Sequence, residues 1–168
     1  MLLSCIQESA KGGESVLIDG YRIEQYLKTH PDFSWAGHAL AEVVIDQTED
    51  NMQAALSPII MNNGHGRKMV RKTLNQKPSP TSTDSERDAR MIALWCDTIN
   101  AAYEVAPRFK LRAGQTLVVD NYRLMHGRDP YEDLQRMLWR VWVWTTDALG
   151  VPDLPLASDT RHAAASQN

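Results

Sequence analysis

The run Arg136-Met137-Leu138-Trp139-Arg140-Val141-Trp142-Val143-Trp144 constrains the fold more than any other stretch of the chain. It is too rich in β-branched and aromatic residues to be a good helix, and it is apolar at both odd and even positions. A strand covered on both faces has that character, so the segment 136–146 is expected to be a strand with protein on each side. Residues two apart on a strand share a face, so Arg136, Leu138 and Arg140 point the same way, with the two arginines about 13 Å apart along the backbone. Two guanidinium groups on the inner face of such a strand call for an anionic partner.

The rest of the chain supplies short strands and one long helix. Ser15 to Ile18 is a short apolar run between Gly12-Gly13 and Asp19-Gly20, and reads as a buried strand between turns. Tyr21, Ile23, Tyr26 and Leu27 suggest a short helix that stops before Pro31. The segment 33–44 fits either a helix or the approach to a strand at Val43-Val44-Ile45. Ile59 to Met61 and Lys68 to Leu74 read as strands about the turn Asn62-Asn63-Gly64-His65-Gly66. The stretch 75–82 is rich in Pro, Ser and Thr and reads as a loop. From Asp84 to Glu104 the apolar positions Ile92, Trp95, Cys96, Ile99, Ala102 and Tyr103 lie on one helical face. Thr83 and Glu86 have capping-box spacing at its start. Gln115 to Asp120 is a strand opened by Gly114, expected to pair antiparallel with the strand 136–146. One helix among many short strands argues for a mainly β fold with inserted helices, a sandwich or barrel.

Composition limits the function classes. The net charge of −3 gives no basic field for nucleic acid. Apolar runs of four or five residues are far short of a membrane span. The start Met1-Leu2-Leu3-Ser4-Cys5 lacks a basic flank and is not expected to be a signal peptide. Cys5 and Cys96 have no metal-ligand spacing and are expected to be reduced thiols of a cytoplasmic protein. No phosphate loop, dinucleotide fingerprint or nucleophile elbow is present. One domain over residues 1–147 and a flexible tail over 148–168 are expected.

The densest chemistry lies between Gly114 and Arg140. A strand leads to the polar corner Asp120-Asn121 and on to His126. The chain is then expected to reverse through Gly127 and Asp129-Pro130 and return as the Trp-rich strand. Taken singly, each residue has a plain structural reading: a hydrogen-bonded histidine, salt-bridged arginines, an Asx turn. Their order changes this. The string Asp120-Asn121-x-Arg123-x-x-His126-Gly127-Arg128, followed by Arg136-x-x-x-Arg140, closely resembles the C-terminal signature of non-haem Fe(II)/2-oxoglutarate oxygenases. The resemblance is to the taurine-dioxygenase-like, clavaminate-synthase-like and γ-butyrobetaine-hydroxylase-like members. Gly12-Gly13-Glu14-Ser15 likewise resembles the family's Gly-Gly-(Asp/Glu)-(Ser/Thr) strand.

The resemblance implies a partial double-stranded β-helix, a jelly roll of the clavaminate-synthase type, over about residues 12–144. It implies Fe(II) and 2-oxoglutarate as metal and cosubstrate. His126 would be the distal iron ligand, Arg136 the grip on the C5 carboxylate of 2-oxoglutarate, and Ser15 a second contact to that carboxylate. Arg140 would contact a small-molecule substrate with an acidic group. The residue types suit that chemistry, since non-haem iron of this class takes two His and one carboxylate on one face, and an arginine fork holds a carboxylate in one orientation. The family's first motif, His-x-Asp/Glu, is expected before the Gly-Gly strand, and Met1 to Lys11 contains no histidine. His30-Pro31-Asp32 has the pattern but follows that strand, so it is expected at the periphery. His38, His65 and His162 have no carboxylate in suitable spacing. The chain is accordingly expected to be an oxygenase portion inactive by itself, or else a non-catalytic jelly-roll binding module that keeps an anion pocket.

Overall fold

The computed structural model describes residues 1–49, 54–64 and 66–146. The chain opens with strand β1 (Leu2–Gln7), turns through Gly12-Gly13, and enters β2 (Ser15–Asp19). Asp19 then caps α1 (Gly20–Thr29), its carboxylate accepting from the Tyr21 and Arg22 amides, which removes two of the helix's orphan donors. A corner at His30 leads to α2 (Ser34–Ala39). The short strands β3 (Ile45–Asp46), β4 (Leu56–Ser57), β5 (Ile60–Asn62), β6 (Lys68–Val70) and β7 (Lys77–Pro78) follow. After them come α3 (Ser85–Val105), β8 (Thr116–Val118), β9 (Leu124–Arg128) and β10 (Met137–Val141).

The strands form four small sheets, of which two position the site. In one, β1 lies between β10 and β8, antiparallel to both. In the other, β2 pairs antiparallel with β9, Leu17 opposite His126 and Ser15 opposite Arg128. Beside them β3 joins β4 and β7, and β5–β6 is a hairpin closed by Asn63, whose amide donates to Arg67 O at 2.9 Å. The core lies between β2–β9 and the three helices. Val16, Ile18, Ile23, Leu27, Ile92, Trp95 and Ile99 are all buried there, Trp95 completely. At about 150–250 Å² for a large aromatic, Trp95 is one of the largest single contributions to that core.

The order β10-β1-β8 corrects the expected pairing of 115–120 with 136–146. Both segments are strands of one sheet, but β1 sits between them, so they run parallel to each other. The opening residues, with two leucines and a cysteine ahead of polar Gln7 and Glu8, carry no strong strand signal of their own. Their place is set by long-range partners, Leu2 with Val141 on one side and with Val118 on the other.

The expected coverage of the Trp-rich strand on both faces also fails among the described residues. Register puts Val141, Leu2 and Val118 side by side on one face, with Trp139 one step along. Trp139 is 61% exposed, Val141 50% and Val118 73%. The opposite face, with Leu138, Cys5 and Leu3, looks inward, and Cys5 is buried. The sequence reports what the strand is built to contact on each side, and only one of those contacts is made within the described chain.

Three smaller corrections follow from geometry. The α3 cap is Asp84, whose carboxylate accepts from the Arg87 amide at 3.0 Å, and not Thr83. Gly127 lies inside β9, so the reversal falls later, between Asp129 and Arg136. The stretch 75–82, read as loop, contains β7, which bridges β3. The tail from residue 147 onward, His65 and His162 lie outside the described residues. No helix among the described residues is long and apolar enough to cross a membrane.

Candidate functional site

Alternation along β2 and β9 decides which side chains meet the helices and which do not. Val16 and Ile18 are buried on the helical side, and Met125 packs against the same core. Gly127 shares that side, where a Cβ would come within 3.2 Å of the Tyr103 ring. Ser15, Leu17, His126 and Arg128 therefore project from the other face of this two-stranded sheet. The inward face of the other sheet carries Leu138 and Arg140, with Arg136 just before β10, and Arg140 lies near enough to His126 for its charge to act on the ring.

Electrostatics tie the two faces together. The His126 imidazole is pushed below its ordinary value first by loss of water around it, then by the charges of Arg140 and the Met1 ammonium. That favours the neutral ring, the form with a lone pair to offer. The Arg136 guanidinium is pushed down first by burial and then by Arg128. His126 thus shares a field with Arg140, and Arg136 with Arg128. Arg128 and Arg136 both lie over the ring of Tyr131, at 4.5 and 5.1 Å from its centroid. Among the described residues, none of Arg128, Arg136 and Arg140 forms an ion pair with a carboxylate. By contrast Arg123, next to the same corner, is held by Asp19 at 2.6 Å, and Arg67 by Asp120 at 2.6 Å.

The Gly-Gly turn sits against this cluster. Gly12 bridges to Tyr131, and the Gly13 amide donates to Pro130 O at 3.1 Å. Both glycines have positive φ, and a Cβ on Gly13 would meet Arg136 Nε at 3.2 Å. The turn leads into Ser15, which is buried and bridged to Phe109. Of the four residues singled out from the sequence, Ser15 and His126 lie on the β2–β9 pair, Arg140 lies on β10, and Arg136 comes just before it. Arg128 and Tyr131 were not singled out. The signal for them was present in the Gly127-Arg128-Asp129-Pro130-Tyr131 string, which places an arginine and an aromatic directly after the histidine.

A three-donor iron site is not assembled by the described residues. No group of three or more His, Cys, Asp or Glu side chains among them could hold a metal ion. His30 caps the end of α1, its ring stacked on Phe33 at 4.1 Å and its Nδ1 accepting from the Asp32 amide at 3.2 Å. Those contacts give His30 a structural role at the helix corner. His38 is exposed on α2. The donors among the described residues do not by themselves fit a facial triad.

Comparison with known proteins gives the family. The model for "Taurine catabolism dioxygenase TauD, TfdA family" matches residues 1–142. The human gamma-butyrobetaine dioxygenase is 30% identical over 142 residues, covering 78% of this chain and 36% of its own. The corresponding enzyme of Pseudomonas sp. (strain AK-1) is 25% identical over 137 residues, covering 77% and 35%. Among solved structures, a taurine dioxygenase from Burkholderia xenovorans superposes with a TM-score of 0.58 at 16% identity, over 82% of this chain and 49% of that one. An asparagine oxygenase solved with Fe(II), 3-hydroxyasparagine and succinate gives a TM-score of 0.55 at 17% identity, over 82% and 42%. These likenesses establish the jelly-roll fold, and the chain spans between about a third and a half of the relatives it matches. The chain belongs to the TauD/TfdA family of Fe(II)/2-oxoglutarate dioxygenases.

Proposed function

We propose that this chain supplies the distal half of a 2-oxoglutarate-dependent dioxygenase site acting on a small molecule with an acidic group. In this reading His126 is one iron ligand, Arg136 binds the C5 carboxylate of 2-oxoglutarate with help from Ser15, and Arg140 meets the substrate's own anionic group. The observation that carries it is the set of three arginines without carboxylate partners among the described residues, beside a histidine whose proton affinity is lowered. Arg136 is partly desolvated and feels the charge of Arg128, so an anion beside it would be favourable, and an arginine fork matches a carboxylate's two oxygens. In the family, the bound iron and cosubstrate supply oxidative decarboxylation and C–H oxidation. This chain's residues would orient the carboxylates and offer one imidazole.

A single histidine cannot hold iron in a facial triad, so the remaining donors must come from polypeptide other than the described residues. His65 and His162 also lack a carboxylate in His-x-Asp/Glu spacing, so we expect the 168-residue chain alone to bind Fe(II) no better than a surface histidine does, and to release no succinate. Joining the chain to the preceding half of a family member that contains a His-x-Asp/Glu motif should restore both, in a His126-dependent way. Stoichiometric Fe(II) binding with His126-dependent succinate release by the chain alone would overturn this reading. A second reading, a non-catalytic anion-binding jelly roll, rests on the same arginines without carboxylate partners among the described residues. It predicts dicarboxylate binding by the chain and no succinate from the joined protein.

A further inference from the structure

We propose that Arg128 and Arg136 form a two-guanidinium clamp on a single carboxylate, and that Tyr131 is the positioning residue that organises it. The inference rests on the proposed role of Arg136 and assigns two further residues to the same contact.

Two positive groups would ordinarily move apart, and here both are drawn onto one ring. The Arg128 and Arg136 guanidinium carbons lie 4.5 and 5.1 Å from the centroid of the Tyr131 ring. An aromatic face attracts each cation through its quadrupole, which offsets part of their repulsion and fixes where their forks point. The ring is itself held. Gly12 bridges Tyr131 across the antiparallel turn, and a Cβ at Gly12 would come within 2.3 Å of Pro130 O, so these backbones lie in direct contact. A Cβ at Gly13 would crowd both Arg136 Nε, at 3.2 Å, and Tyr131 Cβ, at 3.4 Å. The absent side chain leaves the space in which Arg136 lies against the ring. Arg128 leaves β9 on the same face as His126, directly opposite Ser15 in the register. Ser15 and Arg128 therefore leave the same face of the β2–β9 pair.

No carboxylate of the described chain pairs with either arginine: Asp129, the nearest acid in sequence, is turned away to Tyr103 Oη at 2.5 Å and Arg108 Nε at 3.4 Å. Two forks carry more N–H donors than one carboxylate can accept in a single plane, so they can take it from two sides. The ligand class this selects is a dicarboxylate bound through one end, leaving its other end free to reach toward His126. A monocarboxylate would occupy the clamp without reaching further.

The clamp can be tested on the chain as it exists with glutarate, a five-carbon dicarboxylate that lacks the keto group and so needs no metal for binding. Titration would follow the arginine Nε–H signals of the ¹⁵N-labelled protein. Glutarate should shift the signals of both Arg128 and Arg136. Arg128→Ala and Arg136→Ala should each weaken binding about tenfold or more, the loss of a charge-assisted pair. Tyr131→Leu should weaken it several-fold, with Tyr131→Phe recovering only part of the loss, since the ring meets both cations and the hydroxyl adds a contact to Arg136. Urea midpoints of all four variants establish that each is folded at the titration temperature. If Tyr131→Leu is unfolded there, Arg128→Ala and Tyr131→Phe decide the matter. Unchanged affinity in Arg128→Ala alongside lost binding in Arg136→Ala overturns the clamp and leaves the proposed role of Arg136 standing. Equal loss in Tyr131→Phe and Tyr131→Leu overturns the positioning role. Unchanged affinity in both arginine variants, or no glutarate binding by the unaltered chain, overturns the reading of Arg136 itself.

Discussion

Replacing Gly12 by alanine tests how the Gly-Gly turn is built, because two separable costs meet there. The first is conformational: Gly12 has φ +73°, and an L-residue in the left-handed region costs about 1–2 kcal/mol. Alanine also restricts the unfolded chain, which returns about 0.4–1 kcal/mol. The second cost is steric. The new Cβ would lie 2.3 Å from Pro130 O, a backbone atom that cannot swing away as a side-chain end would. Forcing that contact apart is an overpacking change of about 1–3 kcal/mol. Gly114 is the internal control, since it has φ +83° and nothing within 4 Å of its would-be Cβ. Gly114→Ala should therefore cost only about 0.5–1 kcal/mol, the conformational part. Gly12→Ala should cost about 2–4 kcal/mol in all. With a urea m-value of about 2 kcal/mol/M, the midpoint should fall by about 1–2 M for Gly12→Ala and by about 0.3–0.5 M for Gly114→Ala. Equal shifts for the two variants would show that the Gly12–Pro130 approach is not a close one, and would remove the support this turn gives to Tyr131.

Three further outcomes are expected. Glu24 is buried and receives Lys28 at 2.6 Å and Lys68 at 2.8 Å. Burial raises its carboxyl, but those lysines outweigh burial and hold it below the usual value. Its stabilising contribution, about 2 kcal/mol after allowing for lysines that reach solvent, should be full above about pH 4.3 and fade as pH falls through the lowered folded value. Urea titrations of wild type and Glu24→Gln should thus differ at pH 7 and converge in acid, and a pH-independent gap would refute the pairing. Asp84→Ala should cost about 1 kcal/mol by loss of the α3 cap while Thr83→Ala costs a few tenths, and the reverse ranking would return the cap to Thr83. Trp139→Ser should shift the urea midpoint by less than about 0.3 M while raising solubility, because Trp139 is 61% exposed. A large loss of stability would mean that the outer face of β10 is covered in solution.

Local pattern carried much of the fold. The α3 stripe is as its spacing predicts, with Ile92, Trp95 and Ile99 buried and Cys96, Ala102 and Tyr103 half-buried. The β5–β6 hairpin also forms where the Asn-Gly signal lies, though Asn62 pairs with Lys68 and so the connection is longer than a two-residue Asn-Gly turn. Pairings between distant residues were not legible. Leu2 meets Val141 across almost the whole described chain, and nothing in residues 2–7 says which strands will flank them. The cap of α3 was missed by one residue because Thr83 and Asp84 are both good caps, and only backbone geometry selects between them. For the site, residue order pointed to Ser15, His126, Arg136 and Arg140, which lie on two sheets, with Arg140's charge felt at His126. Tyr131 escaped notice because an aromatic after a proline is ordinary in sequence, and its meaning depends on two arginines eight positions apart folding onto it.

The pairing of Leu17 with His126 also sets a rule for chain length. Side chains change sides at every residue of a strand, so deleting one residue of β9 ahead of His126 would turn the imidazole toward α3, into space held by the Tyr103 ring. Gly127 would then face the opening with nothing to offer. Deleting two residues would keep the direction and only shift the position along the strand. Beyond Tyr131, which still bridges Gly12, the reversal obeys no such parity, because residues 132–135 form no bridge to a neighbouring strand among the described residues. When longer family members are aligned to this chain, a gap of odd length inside β2 or β9 would therefore mark a protein whose histidine has turned into the core. Gap length alone, without any knowledge of substrate, would then sort chains that keep this half of the site from those that have lost it.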